Sequence, residues 1–106
     1  MGAAGTTHGN FERAVARGNL PVALATAREL GALSLEDALA LTELFGRIGD
    51  ARFETAAVRW LGRLACERRV ELGTLRLATA LVAALPDERD GAAAHELLRR
   101  LARRRL

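Results

Sequence analysis

Apolar residues recur at helical spacing through most of this chain, and the most informative stretch runs from Asp50 to Arg68. At 100° per residue, Phe53, Ala56, Ala57, Trp60, Leu61 and Leu64 form one apolar stripe, while Val58, Gly62 and Cys66 form a narrower strip of small residues on the opposite side. A helix with a usable strip on both sides sits between neighbours, so the pattern predicts a central helix in an all-α domain. The strip of Val58, Gly62 and Cys66 is the candidate interaction surface. It is expected to pack on another helix of the same chain, with the same strip of a second copy as the alternative.

Five further helices follow from stripes and their punctuation. Asn10 is placed as an N-cap for a short first helix ending at Gly18, with Phe11, Ala14 and Val15 facing inward. Asn19 caps the second helix, Pro21 occupies its first turn, where a missing N–H costs nothing, and Gly31 stops it. Leu20, Ala23, Leu24, Ala27 and Leu30 form its stripe. The third helix opens at Ser34 with Glu36 and Asp37 in its first turn, where carboxylates complement the helix dipole. Its apolar positions run from Ala38, Ala40 and Leu41 through Leu44, Phe45 and Ile48 and predict a mostly buried helix. Residues 71–85 are more apolar still and predict a second core helix. The sixth, from about Glu88, directs Ala94, Leu97, Leu98 and Leu101 inward and Arg99, Arg100 and Arg103 outward.

At a spacing of 37, Leu35 aligns with Leu72, Thr42 with Thr79, Ala56-Ala57 with Ala93-Ala94 and Trp60-Leu61 with Leu97-Leu98. One helical hairpin of an α-solenoid has this length. The expected architecture is therefore all-α, about six helices as three stacked antiparallel hairpins. Residues 1–9, small, polar and Gly-rich, are expected to form a disordered tail, and residues 10–106 a single helical domain ending in an Arg-rich helix.

The run Gly18-Asn19-Leu20 with Ala23, Ala27 and Leu30 resembles the second helix of a tetratricopeptide repeat, although the aromatic and Gly positions of that family's first helix are missing. The order Phe11-Glu12-Arg13-Ala14, Leu35-Glu36-Asp37-Ala38-Leu39, Arg52-Phe53-Glu54, Ala56-Ala57-Val58-Arg59-Trp60 and Ala83-Ala84-Leu85-Pro86 resembles small uncharacterised helical proteins of GC-rich bacteria. That resemblance implies a helical fold and transfers no functional residue.

Composition sharpens the picture in two places. The net charge of +3 is unevenly placed: through Glu96 there are eleven Arg and thirteen acids, and the last ten residues carry five Arg and no acid. The body is near neutral and the basicity is terminal. Arg99, Arg100, Arg103, Arg104 and Arg105 are thus candidate phosphate contacts, although cations in a last helical turn also suit the helix dipole. Secondly, the catalytic inventory is thin, with one Ser, one Cys, two His and neither Lys nor Tyr. Ser34 serves as a cap, Cys66 as a packing cysteine, and His95 as a partly exposed structural histidine without a second ligand at metal spacing. Asp87, Glu88 and Asp90 read as solvated capping residues, because no calcium-loop pattern follows them.

These observations point to a non-catalytic protein-interaction or scaffold module without cofactor or metal, binding another protein or a second copy of itself. A nucleic-acid-associated protein using the Arg-rich helix is the alternative. The single cysteine, and the lack of an apolar run near the ~20 residues of a membrane span, predict a cytoplasmic protein with no membrane partner.

Overall fold

The computed structural model of the chain describes residues 6–104. Six helices follow in order, α1 (Thr7–Arg17), α2 (Leu20–Leu30), α3 (Leu35–Ile48), α4 (Phe53–Arg68), α5 (Leu72–Ala83) and α6 (Gly91–Ala102), and the described residues contain no strand. None of these helices is long and apolar enough to cross a membrane. The chain divides into two compact units, Met1–Ser34 and Leu35–Leu106.

In the smaller unit α1 packs on α2. The first helix begins at Thr7, ahead of the expected Asn10, because the Thr6 hydroxyl accepts the Gly9 N–H at 2.9 Å and caps it. Residues 7–9 of the expected tail are therefore helical, and residues 1–5 lie outside the described residues. The turn is as expected. Gly18 adopts φ 72°, and Asn19 caps α2 by accepting the Val22 N–H at 3.3 Å. Phe11, Ala14 and Val15 are buried in α1, and Ala23, Thr26 and Ala27 in α2. The buried Thr26 hydroxyl donates to the carbonyls of Val22 at 2.8 Å and Ala23 at 3.1 Å, which lets a polar residue sit inside.

In the larger unit α3 pairs with α4 and α5 with α6, and the contacts of α4 with α5 and of α3 with α6 join the four helices into a ring. An open row of hairpins would set the first helix of one beside the first helix of the next, α3 beside α5. Here α3 lies against α6, as in a helical bundle. The core at the centre of the ring includes Leu35, Leu39, Trp60, Leu64, Val82 and Leu98. Trp60 is 1% exposed and its indole N–H donates to the Leu35 carbonyl at 2.8 Å, so the ring is buried against α3 as its stripe position predicts, with its one polar atom satisfied.

Two expectations are corrected here. α5 is not a core helix: only Ala78 and Val82 are buried within it, while Leu72 and Leu77 are 75% and 56% exposed. The inward face of α6 is Gly91, Ala94, Leu98 and Ala102, with Leu101 half-buried and Leu97 45% exposed. Small residues on that face bring neighbouring elements close. A Cβ at Gly91 would stand 2.5 Å from the Leu85 carbonyl oxygen, and one at Gly46 would meet the Phe53 ring at 3.0 Å.

Candidate functional site

The strip of Val58, Gly62 and Cys66 faces solvent. Val58 is 67% exposed, Cys66 is exposed, and a Cβ built on Gly62 would meet nothing within 4 Å. The expectation that these residues pack against a helix of the same chain is therefore overturned, and Cys66 is not a packing cysteine. The reason is the burden on the other face: α4 packs on α3 and α5, and Ala57, Trp60 and Leu64 turn its larger apolar side into the core.

The arginines of the last helix do lie outside the core, but they are not bare. Glu96 stands 3.5 Å from Arg99 and 3.4 Å from Arg100, and Arg103 donates to Glu36 at 3.0 Å. Arg104 is exposed, and Arg105 lies outside the described residues. Arg68, from the last turn of α4, donates to the Ala102 carbonyl at 2.6 Å and so covers the C-terminal end of α6.

Beside this helix lies a feature that sequence reasoning missed, a groove of about 560 Å³. One wall is Glu43 and Arg47 of α3, the other Glu96 and Arg99 of α6, and Asp87 and Glu88 close one end. Leu85, Pro86, Gly91 and Ala92 supply the apolar part of the lining, and His95 completes it. Gly91 and Ala92 line it from the first turn of α6 without bulky side chains. Its acidic end is shaped by Asp87, whose Oδ1 accepts the N–H groups of Arg89 at 2.7 Å and Asp90 at 3.1 Å and turns the chain into α6. The capping role expected for Asp87 is thus present.

Charges along the walls are locally paired. Glu43 lies 3.2 Å from Arg47, and Glu96 is shared by Arg99 and Arg100. His95 Nε2 is shut off from solvent and has no hydrogen-bond partner among the described residues. Burial pushes the His95 pKa below its usual value, with Glu43 acting against that shift, so the imidazole is held neutral. The combination of a small residue pair, Gly91-Ala92, with a histidine one turn further on was the only signal in the sequence for this groove.

Comparison with known protein families, with curated proteins and with solved structures finds no match. The chemistry must therefore be read from the residues themselves. Among the described residues no group of three His, Cys, Asp or Glu side chains is placed to hold a metal ion.

A second surface stands out for its lack of charge. The solvent side of α5 presents Leu72, Gly73, Leu77, Ala80 and Ala83 as exposed residues, interrupted by Arg76 and Thr79 alone. The Thr79 hydroxyl is turned back onto the Leu75 carbonyl at 2.8 Å, which leaves Arg76 as the one charge. In the smaller unit a shallower groove of about 240 Å³ runs between α1 and α2, lined by Arg13, Arg17, Asn19 and Val22 among others.

Proposed function

We propose that the protein is a non-catalytic interaction module that docks another protein through α5. The observation carrying this reading is the exposure of Leu72 and Leu77 at 75% and 56% on a helix whose solvent face has one charged residue. Fully burying a leucine is worth about 1.5–3 kcal/mol relative to leaving it in water, so a partner with an apolar face gains from covering this helix. Surface helices of ordinary domains carry polar residues there instead. The engagement of Arg99, Arg100 and Arg103 by Glu96 and Glu36 supports the same ordering of functions, since paired guanidiniums give up less free energy to phosphate.

The test compares the parent protein with a Leu72→Gln, Leu77→Gln double variant, first by sedimentation velocity and then by quantitative capture from lysate of the source cells, each captured protein being re-measured in purified form. Self-association or purified binding that the double variant loses supports the reading. A parent protein that stays monomeric and binds nothing that the variant fails to bind overturns it. Binding of duplex DNA that collapses with salt, and with Arg103, Arg104 and Arg105 changed to Ala, would transfer the function to the Arg-rich end.

A further inference from the structure

We infer that the groove between α1 and α2 binds a phosphate monoester. The inference goes beyond the α5 reading and does not rest on it, since the groove lies wholly within the smaller unit. The turn Gly18-Asn19 joins the two helices, and each side gives the groove residues at i, i+3 and i+7, which share one helical face. From α1 these include Asn10, Arg13 and Arg17; from the α2 side they are Asn19, Val22 and Thr26.

Two guanidiniums and no carboxylate line this groove, although the same unit carries Glu12 and Glu29. Glu12 is turned to His8, 3.5 Å away. Arg13 and Arg17 stand one turn apart on α1, where like charges repel, and no acid in the lining offsets them. Arg17 enters no hydrogen bond or ion pair among the described residues. Arg13 donates to Asn10 Oδ1 at 2.6 Å, which engages one of the five N–H donors of its guanidinium and holds the group in place. The arginines of α6 differ, since Glu96 and Glu36 already engage Arg99, Arg100 and Arg103.

The neutral groups point the same way. Oδ1 of Asn10 accepts from Arg13, and Oδ1 of Asn19 accepts the Val22 N–H at 3.3 Å, so each amide keeps its NH2 to donate. The first turn of α2, an 11-residue helix, adds the positive end of its dipole beside Asn19. Thr26 adds no donor, because its hydroxyl proton goes to the Val22 and Ala23 carbonyls. Positive charge together with several N–H donors calls for an anion rich in acceptor oxygens. A phosphate monoester brings a charge of about −1.5 to −2 near pH 7 and three such oxygens, which matches two uncompensated guanidiniums better than the single charge of a carboxylate. At about 240 Å³ the groove is smaller than the roughly 300–1,000 Å³ of pockets that enclose drug-sized ligands, so it takes the phosphoryl head and the first carbons of the ester. Val22, 43% exposed, offers those carbons an apolar contact that inorganic phosphate lacks the means to use.

The experiment follows the backbone amides of Asn19 and Val22 and the side-chain NH2 groups of Asn10 and Asn19 by proton–nitrogen correlation NMR in the full chain at pH 7.5. The probes are N-acetyl-phosphoserine methylamide, glycerol phosphate, inorganic phosphate, N-acetyl-aspartate methylamide and an oligothymidylate without a terminal phosphate. Both esters are expected to move these signals saturably, with dissociation constants on the order of millimolar for such small ligands. The aspartate compound should bind at least about fivefold more weakly than the phosphoserine compound. Arg17→Gln, at an exposed position, should weaken both esters about threefold or more with unchanged circular dichroism, while Arg28→Gln, an exposed arginine of α2 off the groove, should leave them unchanged. Unmoved signals, equal binding of the aspartate compound, inorganic phosphate binding more tightly than either ester, or an equal loss with Arg28→Gln overturns the proposal. So does tighter binding of the oligothymidylate than of the esters, because the ligand is then a nucleic-acid backbone. Either order of the two esters supports the proposal and names the source: a phosphorylated protein segment if phosphoserine binds more tightly, a small free ester if glycerol phosphate does.

Discussion

Leu35 and Leu72 hold equivalent places in two hairpins that echo each other at a spacing of 37 residues, yet one is 3% exposed and the other 75%. The same divergence runs down the second helix of each hairpin. α4 buries Ala57, Trp60 and Leu64, whereas α6 buries Ala94, Leu98 and Ala102, which align with Ala57, Leu61 and Ala65. After the first shared alanine the buried set has moved by one residue, about 100° around the helix. Both helices have the same period; their rotation about their own axes differs. In α4 the bulk of Trp60 and its bond to the Leu35 carbonyl set the rotation. In α6 the small face of Gly91, Ala94 and Ala102 allows close approach, and the larger Leu97 is turned out.

That comparison breaks first at its largest difference. Trp60→Ala should cost ~3–5 kcal/mol in urea unfolding, because it leaves a cavity and an unpaired Leu35 carbonyl, while Leu97→Ala at the aligned position should cost under about 1 kcal/mol. Equal losses would mean that the two helices present the same face. Next come the glycines. Gly91→Ala drives a methyl group into the Leu85 carbonyl oxygen and should destabilise by about 1–3 kcal/mol, whereas Gly62→Ala enters open space on a mid-helix position and should stabilise by roughly 0.5–1 kcal/mol. A melting temperature that moves the same way in both would refute the difference in packing.

The ends of the paired helices give a smaller contrast. α4 stops on Arg69 in the left-handed region at φ 47°, where an L side chain is strained, and α6 stops on Arg103 at φ −87°. Arg69→Gly should therefore raise stability by about 0.5–1 kcal/mol and Arg103→Gly should not. The smallest effect concerns His95. Its folded-state pKa lies below the usual imidazole value, so as pH falls beneath that value the unfolded chain takes up a proton that the folded chain resists, and stability drops. Between pH 7.5 and 5.5 the urea midpoint of the parent protein should decline more than that of His95→Asn. Parallel curves would show that the imidazole is not shielded.

Much of the fold was legible because it is local. Gly18, Asn19, Pro21 and Gly31 mark helix ends through backbone conformation and capping, which depend on a few adjacent residues, and each lies where its chemistry placed it. The all-α class and the burial of Trp60 followed from propensity and a long stripe. The candidate sites were less legible. Val58, Gly62 and Cys66 look like a packing strip in one dimension and are solvent-facing in three, and the arginines of α6 were readable as outward but not as partners of Glu96 and Glu36.

What the sequence determined by itself was period: how many helices form, roughly where each runs, and which residues share a face. Only the tertiary structure decided which of two competing faces each helix buries, that α3 closes on α6, and that α5 keeps two leucines in water. Period is a property of one helix, written in neighbouring residues. The rotation of that helix is decided by its partners, through the volume of Trp60, the missing side chain of Gly91 and a carbonyl 25 residues away in the chain, and those meet only once the ring has formed.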